Sequence, residues 1–196
     1  MTIATTKRIT LKEYLTYEDG TDTCYELVDG EIVPMSLGTG EHGDICEFLN
    51  DEFKAEIKRV GLPWVSKDMK IGIQSPRGTR WETVRVPDVV VLPLEQWNGL
   101  KKRESLIPLN ELPPLLVVEV VSPSTVTVDY RAKHSEYSVL DIPEYWIVDP
   151  IALKVTVCVL KDGAYNDVVF ADDLTIVSPT FPELGLTALE VLSAEK

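Results

Sequence analysis

Histidine is scarce in this chain of 196 residues, which has only His42 and His134. A metal centre built mainly on imidazole is excluded on supply, and the expectation is a metal held mostly by oxygen. Cysteine is almost as rare. Cys24, Cys46 and Cys158 are odd in number, widely spaced and without a CxxC pair, which argues against a disulfide framework or a zinc ribbon. No apolar run approaches the roughly 20 residues that span a bilayer. The opening Met-Thr-Ile-Ala-Thr-Thr-Lys-Arg lacks the apolar stretch of a secretory signal, and the expectation is a cytoplasmic protein. Positive charge is short as well. Nineteen Lys and Arg against 32 Asp and Glu leave a net charge of −13, the wrong sign for a surface that binds phosphate throughout. Local basic strips remain: Lys54, Lys58 and Arg59; Arg77, Arg80 and Arg85; Lys101 to Arg103. The commoner reading of each is a solvated face.

What is present is an ordinary globular composition, 44% hydrophobic and 26% charged. The length suits a single domain spanning 1–196 with a core over about 8–192. No internal repeat, low-complexity tract or linker interrupts it.

The most informative stretch is Leu115-Leu-Val-Val-Glu-Val-Val121, an apolar, β-branched run between prolines, the pattern of a fully buried central strand. Glu119 breaks it. An ionised carboxylate there costs several kcal/mol unless it is protonated, paired or bound to a metal. A second apolar run, Val84 to Leu92, carries Asp88 just after Pro87, 31 residues upstream of Glu119. Two such strands side by side would bring the acids together, and a hard cation such as Mg2+, which prefers oxygen ligands, would account for both charges.

Around these strands the local signals are mostly clear. Thr10 and Glu13 form a capping box that opens a short helix to about Tyr17. Tyr25–Val28 and Glu31–Met35 flank Asp29-Gly30, a type I′ hairpin signal; Glu26 on that hairpin reads either as a water-facing position or as the edge of a site. Apolar residues at helical spacing from Ile45 to Val60, stopped by Gly61 and Pro63, predict a long helix over 41–60. His42 lies in its first turn, either a capping or solvated residue or one pointing into a cleft. Short strands follow at Trp64–Ser66 and Met69–Ile73, then a basic loop from Ser75 to Arg80, and a short helix near Leu94–Trp97. Asp129 reads as the cap of a helix running to about Leu140, on which Lys133 and Tyr137 share a face. A right-handed crossover into a strand at Tyr145–Val148 is expected. Lys154–Leu160 and Tyr165–Phe170 form a second hairpin about Asp162-Gly163, with an exposed edge able to pair with a second copy of the chain.

Val86-Pro-Asp-Val89, Val118-Glu-Val-Val-Ser-Pro-Ser124, Tyr25-Glu-Leu-Val-Asp-Gly-Glu-Ile32, Lys133 with Tyr137, and Pro143-Glu-Tyr-Trp-Ile-Val-Asp149 together resemble the bacterial Uma-type endonuclease family of the restriction-endonuclease-like PD-(D/E)XK superfamily. The resemblance covers roughly residues 8 to 192. It implies an α/β (α+β) fold with a central mixed sheet flanked by helices and additional hairpins. It further implies a Mg2+-dependent endonuclease acting on DNA, with Mn2+ as a substitute, and a homodimer. Asp88 and Glu119 are the implied metal ligands, and Lys133 joins them as catalytic. Glu26, Tyr137 and His42 are supporting residues. The superfamily lysine two residues after the second acid is replaced here by Val121; the resemblance moves that role to Lys133. The alternative is an inactive nuclease-fold module that acts by binding. A third reading has Glu119 simply paired with Arg131 or Lys133 as scaffold.

Overall fold

The computed structural model describes residues 8–21, 23–35, 38–76 and 82–195. The expected basic loop falls partly outside them, and Arg77 and Arg80 are among the residues not described. Two mixed sheets with helices around them make up the architecture. The six-stranded sheet runs β11 (Ala164–Phe170), β10 (Lys154–Lys161), β9 (Glu144–Asp149), β8 (Leu116–Val120), β6 (Val89–Pro93), β3 (Trp64–Asp68), and the five-stranded sheet β2 (Glu31–Pro34), β1 (Tyr25–Val28), β5 (Thr83–Arg85), β4 (Gly72–Ser75), β7 (Leu106–Ile107).

At the centre of the larger sheet, β8 (Leu116–Val120) pairs antiparallel with β6 (Val89–Pro93) and parallel with β9 (Glu144–Asp149). All its residues are buried, as its unbroken apolar run requires. Because strand side chains alternate, Leu116, Val118 and Val120 enter one core, while Val117 and Val121 enter another on the opposite face. Glu119 shares the second face. The first core is closed by α2 (Gly40–Val60) through Ile45, Leu49, Phe53 and Ile57, and by α5 (Ala188–Ser193) through Ala188 and Val191. Each of these side chains larger than alanine contributes about 1.5–3 kcal/mol on burial. Thr39 caps α2 and Gly61, at φ 77°, ends it in the left-handed region. Val60, expected on the apolar face, is instead 49% exposed in the last turn.

The other face is covered by the π-helical segment Val128–Lys133, which runs directly into α4 (His134–Val139), and by part of the five-stranded sheet. That smaller sheet begins with the predicted hairpin, β1 (Tyr25–Val28) and β2 (Glu31–Pro34), turned by Asp29 and Gly30 at φ 52° and 79°. It continues with β4 (Gly72–Ser75), β5 (Thr83–Arg85) and β7 (Leu106–Ile107). The short helix α1 (Leu11–Leu15) has the predicted capping box, and α3 (Leu94–Leu100) extends one turn beyond expectation. The strand β3 is Trp64–Asp68, and β10 (Lys154–Lys161) with β11 (Ala164–Phe170) forms the second hairpin at one edge.

Three expectations are corrected. The strand read over Met69–Ile73 begins only at Gly72 and runs to Ser75, because the chain turns at Met69, φ 40°. The single strand read from Val84 to Leu92 is two, β5 and β6, in different sheets. Pro87 has no N–H to give to a ladder, and the chain changes sheet over Val86-Pro87-Asp88. Asp129 is not a cap. Helical backbone is already present at Val126 and Thr127, no side-chain cap bond is made at Thr127, and Asp129 lies buried with its N–H bonded to the Thr125 carbonyl.

Candidate active site: a carboxylate cluster around Lys133

The break between β5 and β6, the end of β8, the first hairpin, the start of α2 and the π-helical segment meet around a cleft of about 560 Å3. Glu26, His42, Asp88, Glu119, Asp129 and Lys133 all line it. Each owes its place to a local feature. Asp88 is freed from the ladder by the proline break and accepts from the Val120 N–H at 2.7 Å, which ties it to the residue after Glu119. Glu119 points into the cleft side by strand alternation. The Tyr137 hydroxyl donates to its Oε1 at 2.6 Å, and Lys133 Nζ lies 2.7 Å from its Oε2. Lys133 and Tyr137 thus share a helical face that looks back at β8.

Lys133 is buried and is surrounded by acid. Besides Glu119 it lies 3.2 Å from Asp129 Oδ1 and 4.0 Å from Glu26 Oε1. Burial pulls its ammonium down, but Glu119, Glu26 and Asp129 together outweigh that and hold it above the ordinary lysine range, so it stays charged. Lys133 is therefore no solvated surface lysine. Burial drives the Glu119 carboxyl well above the ordinary carboxylate range; Lys133 opposes this, while Asp88, Asp129 and Glu26 add to it. Asp129 is raised for the same first reason, against the pull of Lys133. Neither of its oxygens meets a donor in hydrogen-bond geometry among the described residues.

Glu26 faces inward, not to water. Its Oε1 accepts from the Val86 N–H at 3.1 Å and its Oε2 from Arg85 at 3.0 Å. Arg85, read from sequence as part of a basic strip, is buried and also grips Glu136 through two bonds of 2.8 and 3.0 Å. His42 is neither a cap nor solvated. Its Nε2 sits 3.3 Å from Asp88 Oδ2 and its Nδ1 3.6 Å from Cys46 Sγ. The bond to Asp88 raises the imidazole above its ordinary range in spite of partial burial. Gly38 makes room for the ring: a Cβ there would stand 2.8 Å from His42 Nδ1.

The other basic strips are partly consumed as well. Lys54 pairs with Asp51, Arg59 with Glu56 and Glu183, and Arg103 with Glu111. Sequence reasoning missed Asp129, Arg85 and Glu136 as neighbours of the site. The four-residue spacing of Asp129 and Lys133 was the available signal for the first; nothing local marks the other two, whose partners lie about 50 residues away or more.

The arrangement suits a hard divalent cation. Four carboxylates, Glu26, Asp88, Glu119 and Asp129, approach one cleft that offers Lys133 and an Arg85 already shared with Glu136. Negative charge is in excess, the donors are oxygens, and the buried Asp129 carboxylate, though 3.2 Å from Lys133, meets no donor in hydrogen-bond geometry among the described residues.

The structure aligns with the crystal structure of a protein from Anabaena variabilis described as "a putative nuclease belonging to DUF820", with a TM-score of 0.71, covering 95% of this chain and 98% of that one at 19% identity; at that identity the likeness speaks for the fold. An uncharacterized protein of Synechocystis sp. is 27% identical over 156 residues, 79% of this chain and 82% of its own length. The model of the Uma2 family, described as "putative restriction endonuclease", matches residues 11–190, and the chain belongs to that family.

Proposed function

We propose that the chain is a metal-dependent endonuclease that hydrolyses phosphodiester bonds of DNA. The observation that carries this reading is the convergence of Asp88, Glu119 and Lys133 on one cleft with surplus negative charge. Asp88 and Glu119 would hold Mg2+, with Mn2+ as a substitute. When bound, the ion offsets charge on the phosphate and lowers the pKa of a water. Lys133, kept charged by its acidic neighbours, orients the attacking water or holds a phosphate oxygen. Tyr137 fixes the Glu119 carboxylate, and His42 and the Val120 N–H fix that of Asp88. Glu26, clamped by Arg85, sits where it can take a second ion or act through water. A homodimer joined along β11, whose Val168 and Val169 are exposed, and a cytoplasmic setting belong to the same reading.

The test is incubation of supercoiled plasmid and linear duplex with the purified chain in Mg2+ or EDTA. Metal-dependent cutting that disappears in folded Asp88→Ala and Glu119→Ala supports the reading; cutting retained by either folded variant contradicts it.

A second reading is favoured by one distance. Lys133 Nζ lies 2.7 Å from Glu119 Oε2, a pair that neutralises the acid without a metal, and the net charge is −13. On that reading the chain is an inactive nuclease-fold module that binds protein or nucleic acid, and wild type binds no Mn2+ in the cleft.

A further inference from the structure

One residue beyond Lys133, the same helix contributes to a second cluster of ligand chemistry that does not line the cleft. His134 opens α4, and Cys158 and Asp167 are directly opposed in the register of β10 and β11. Directly opposed residues of an antiparallel pair project on the same side of the sheet. An imidazole nitrogen of His134, Cys158 Sγ and a carboxylate oxygen of Asp167 lie within 4.8 Å of one another. His134 Nε2 stands 3.0 and 3.1 Å from the two Asp167 oxygens. The imidazole is held edge-on to Tyr165, with ring centroids 5.2 Å apart. Tetrahedral Zn2+, with bonds of roughly 2.0–2.3 Å, spaces its ligand atoms roughly 3.3–3.8 Å apart, which small side-chain rotations can reach from here.

The donor set separates this cluster from the cleft. Nitrogen, sulfur and oxygen in one place suit a borderline cation, and Mg2+ has no preference for thiolate. Cys158 is fully buried, while His134 and Asp167 are reached by solvent, with side chains 26% and 45% exposed. One side of the cluster is therefore closed by protein and the other is open to water.

We infer that His134, Cys158 and Asp167 form a site for a zinc-type divalent cation, with three protein ligands and a fourth position left to water. On binding, the Cys158 S–H bond breaks, sulfur bonds the metal and the proton leaves to solvent, a displacement that binding must drive because burial and Asp167 hold the free thiol protonated. The ion staples the β10–β11 hairpin to the helix whose preceding residue is Lys133, and so stiffens the back of the cleft.

The test adds CoCl2 to the full-length chain and follows the thiolate-to-cobalt charge-transfer absorbance. The expected result is a band in wild type and in Cys46→Ser, lost in Cys158→Ser, with affinity weakened about tenfold or more in His134→Gln. His134→Gln alters a partly exposed side chain and keeps the test open should Cys158→Ser not fold. No band in wild type, a band that survives in Cys158→Ser, undiminished affinity in His134→Gln, or a band that disappears in folded Cys46→Ser would each overturn the site; the last would move the cobalt to Cys46, His42 and Asp88.

Discussion

Glu119 and Glu144 are two buried glutamates on adjacent parallel strands of one sheet, 2% and 0% exposed. Their surroundings could hardly differ more. Glu144 accepts from the Trp146 indole N–H at 2.6 Å and from the Thr180 N–H at 2.8 Å. Both partners are neutral, both oxygens are satisfied, and Glu144 does not line the cleft. Glu119 meets a hydroxyl and an ammonium, stands among three further acids and opens onto the cleft. An acid in an apolar strand is thus no signal by itself. Its company decides: Glu144 joins β9 to the segment before Phe181, whereas Glu119 belongs to a cluster with more negative charge than its cations match.

Substitutions can sharpen that contrast. The largest effect is expected from Glu119→Ala and Asp88→Ala, which should lower metal-dependent cleavage by roughly a hundredfold or more while circular dichroism stays native. Lys133→Ala should lower cleavage and also stability, by about 3–5 kcal/mol in chemical denaturation, because it strands buried Glu119 and Asp129 without their cation; added Mn2+ should recover part of that loss by replacing the missing positive charge. Glu144→Gln should behave in the opposite way from Glu119→Ala. Its amide cannot accept on both sides, so unfolding should cost about 1–3 kcal/mol less than in wild type, with Mn2+ affinity unchanged. A fall in Mn2+ affinity without loss of stability would break the comparison. The smallest effect belongs to Tyr137→Phe, which removes one hydrogen bond to Glu119, worth about 0.5–1.5 kcal/mol, and should weaken Mn2+ binding in calorimetry without abolishing it.

Much of the fold could be read locally. The unbroken apolar run of β8, the capping box at Thr10, the Asp29-Gly30 turn and the helical spacing from Ile45 to Ile57 all depend on neighbours in sequence, and all are found. The places where the reading fails are those where distant chain decides. Pro87 was visible as a break, but nothing near it says that the strand resumes in another sheet. Asp129 has the residue type and position of a cap, and the π-helical turn buries it beside Lys133 instead. Arg85 looked like surface charge because Glu26 and Glu136, which neutralise it, are 59 and 51 residues away. The pairing of Lys133 with Glu119 was legible as a face shared with Tyr137; that the lysine reaches the carboxylate at 2.7 Å required the parallel β8–β9 connection to fold the helix back over the strand. Glu144 stands just before the strand expected over Tyr145–Val148 and interrupts no apolar run, so nothing local singles it out, and the Trp146 and Thr180 donors that satisfy it are set by tertiary packing.

The most direct measurement is Mn2+ titration by calorimetry of the wild type beside Asp88→Ala, Glu119→Ala and Glu144→Gln, each checked for folding. The account predicts binding by wild type and Glu144→Gln that Asp88→Ala and Glu119→Ala lose. No binding by folded wild type, or binding that survives in folded Asp88→Ala and Glu119→Ala, would contradict it.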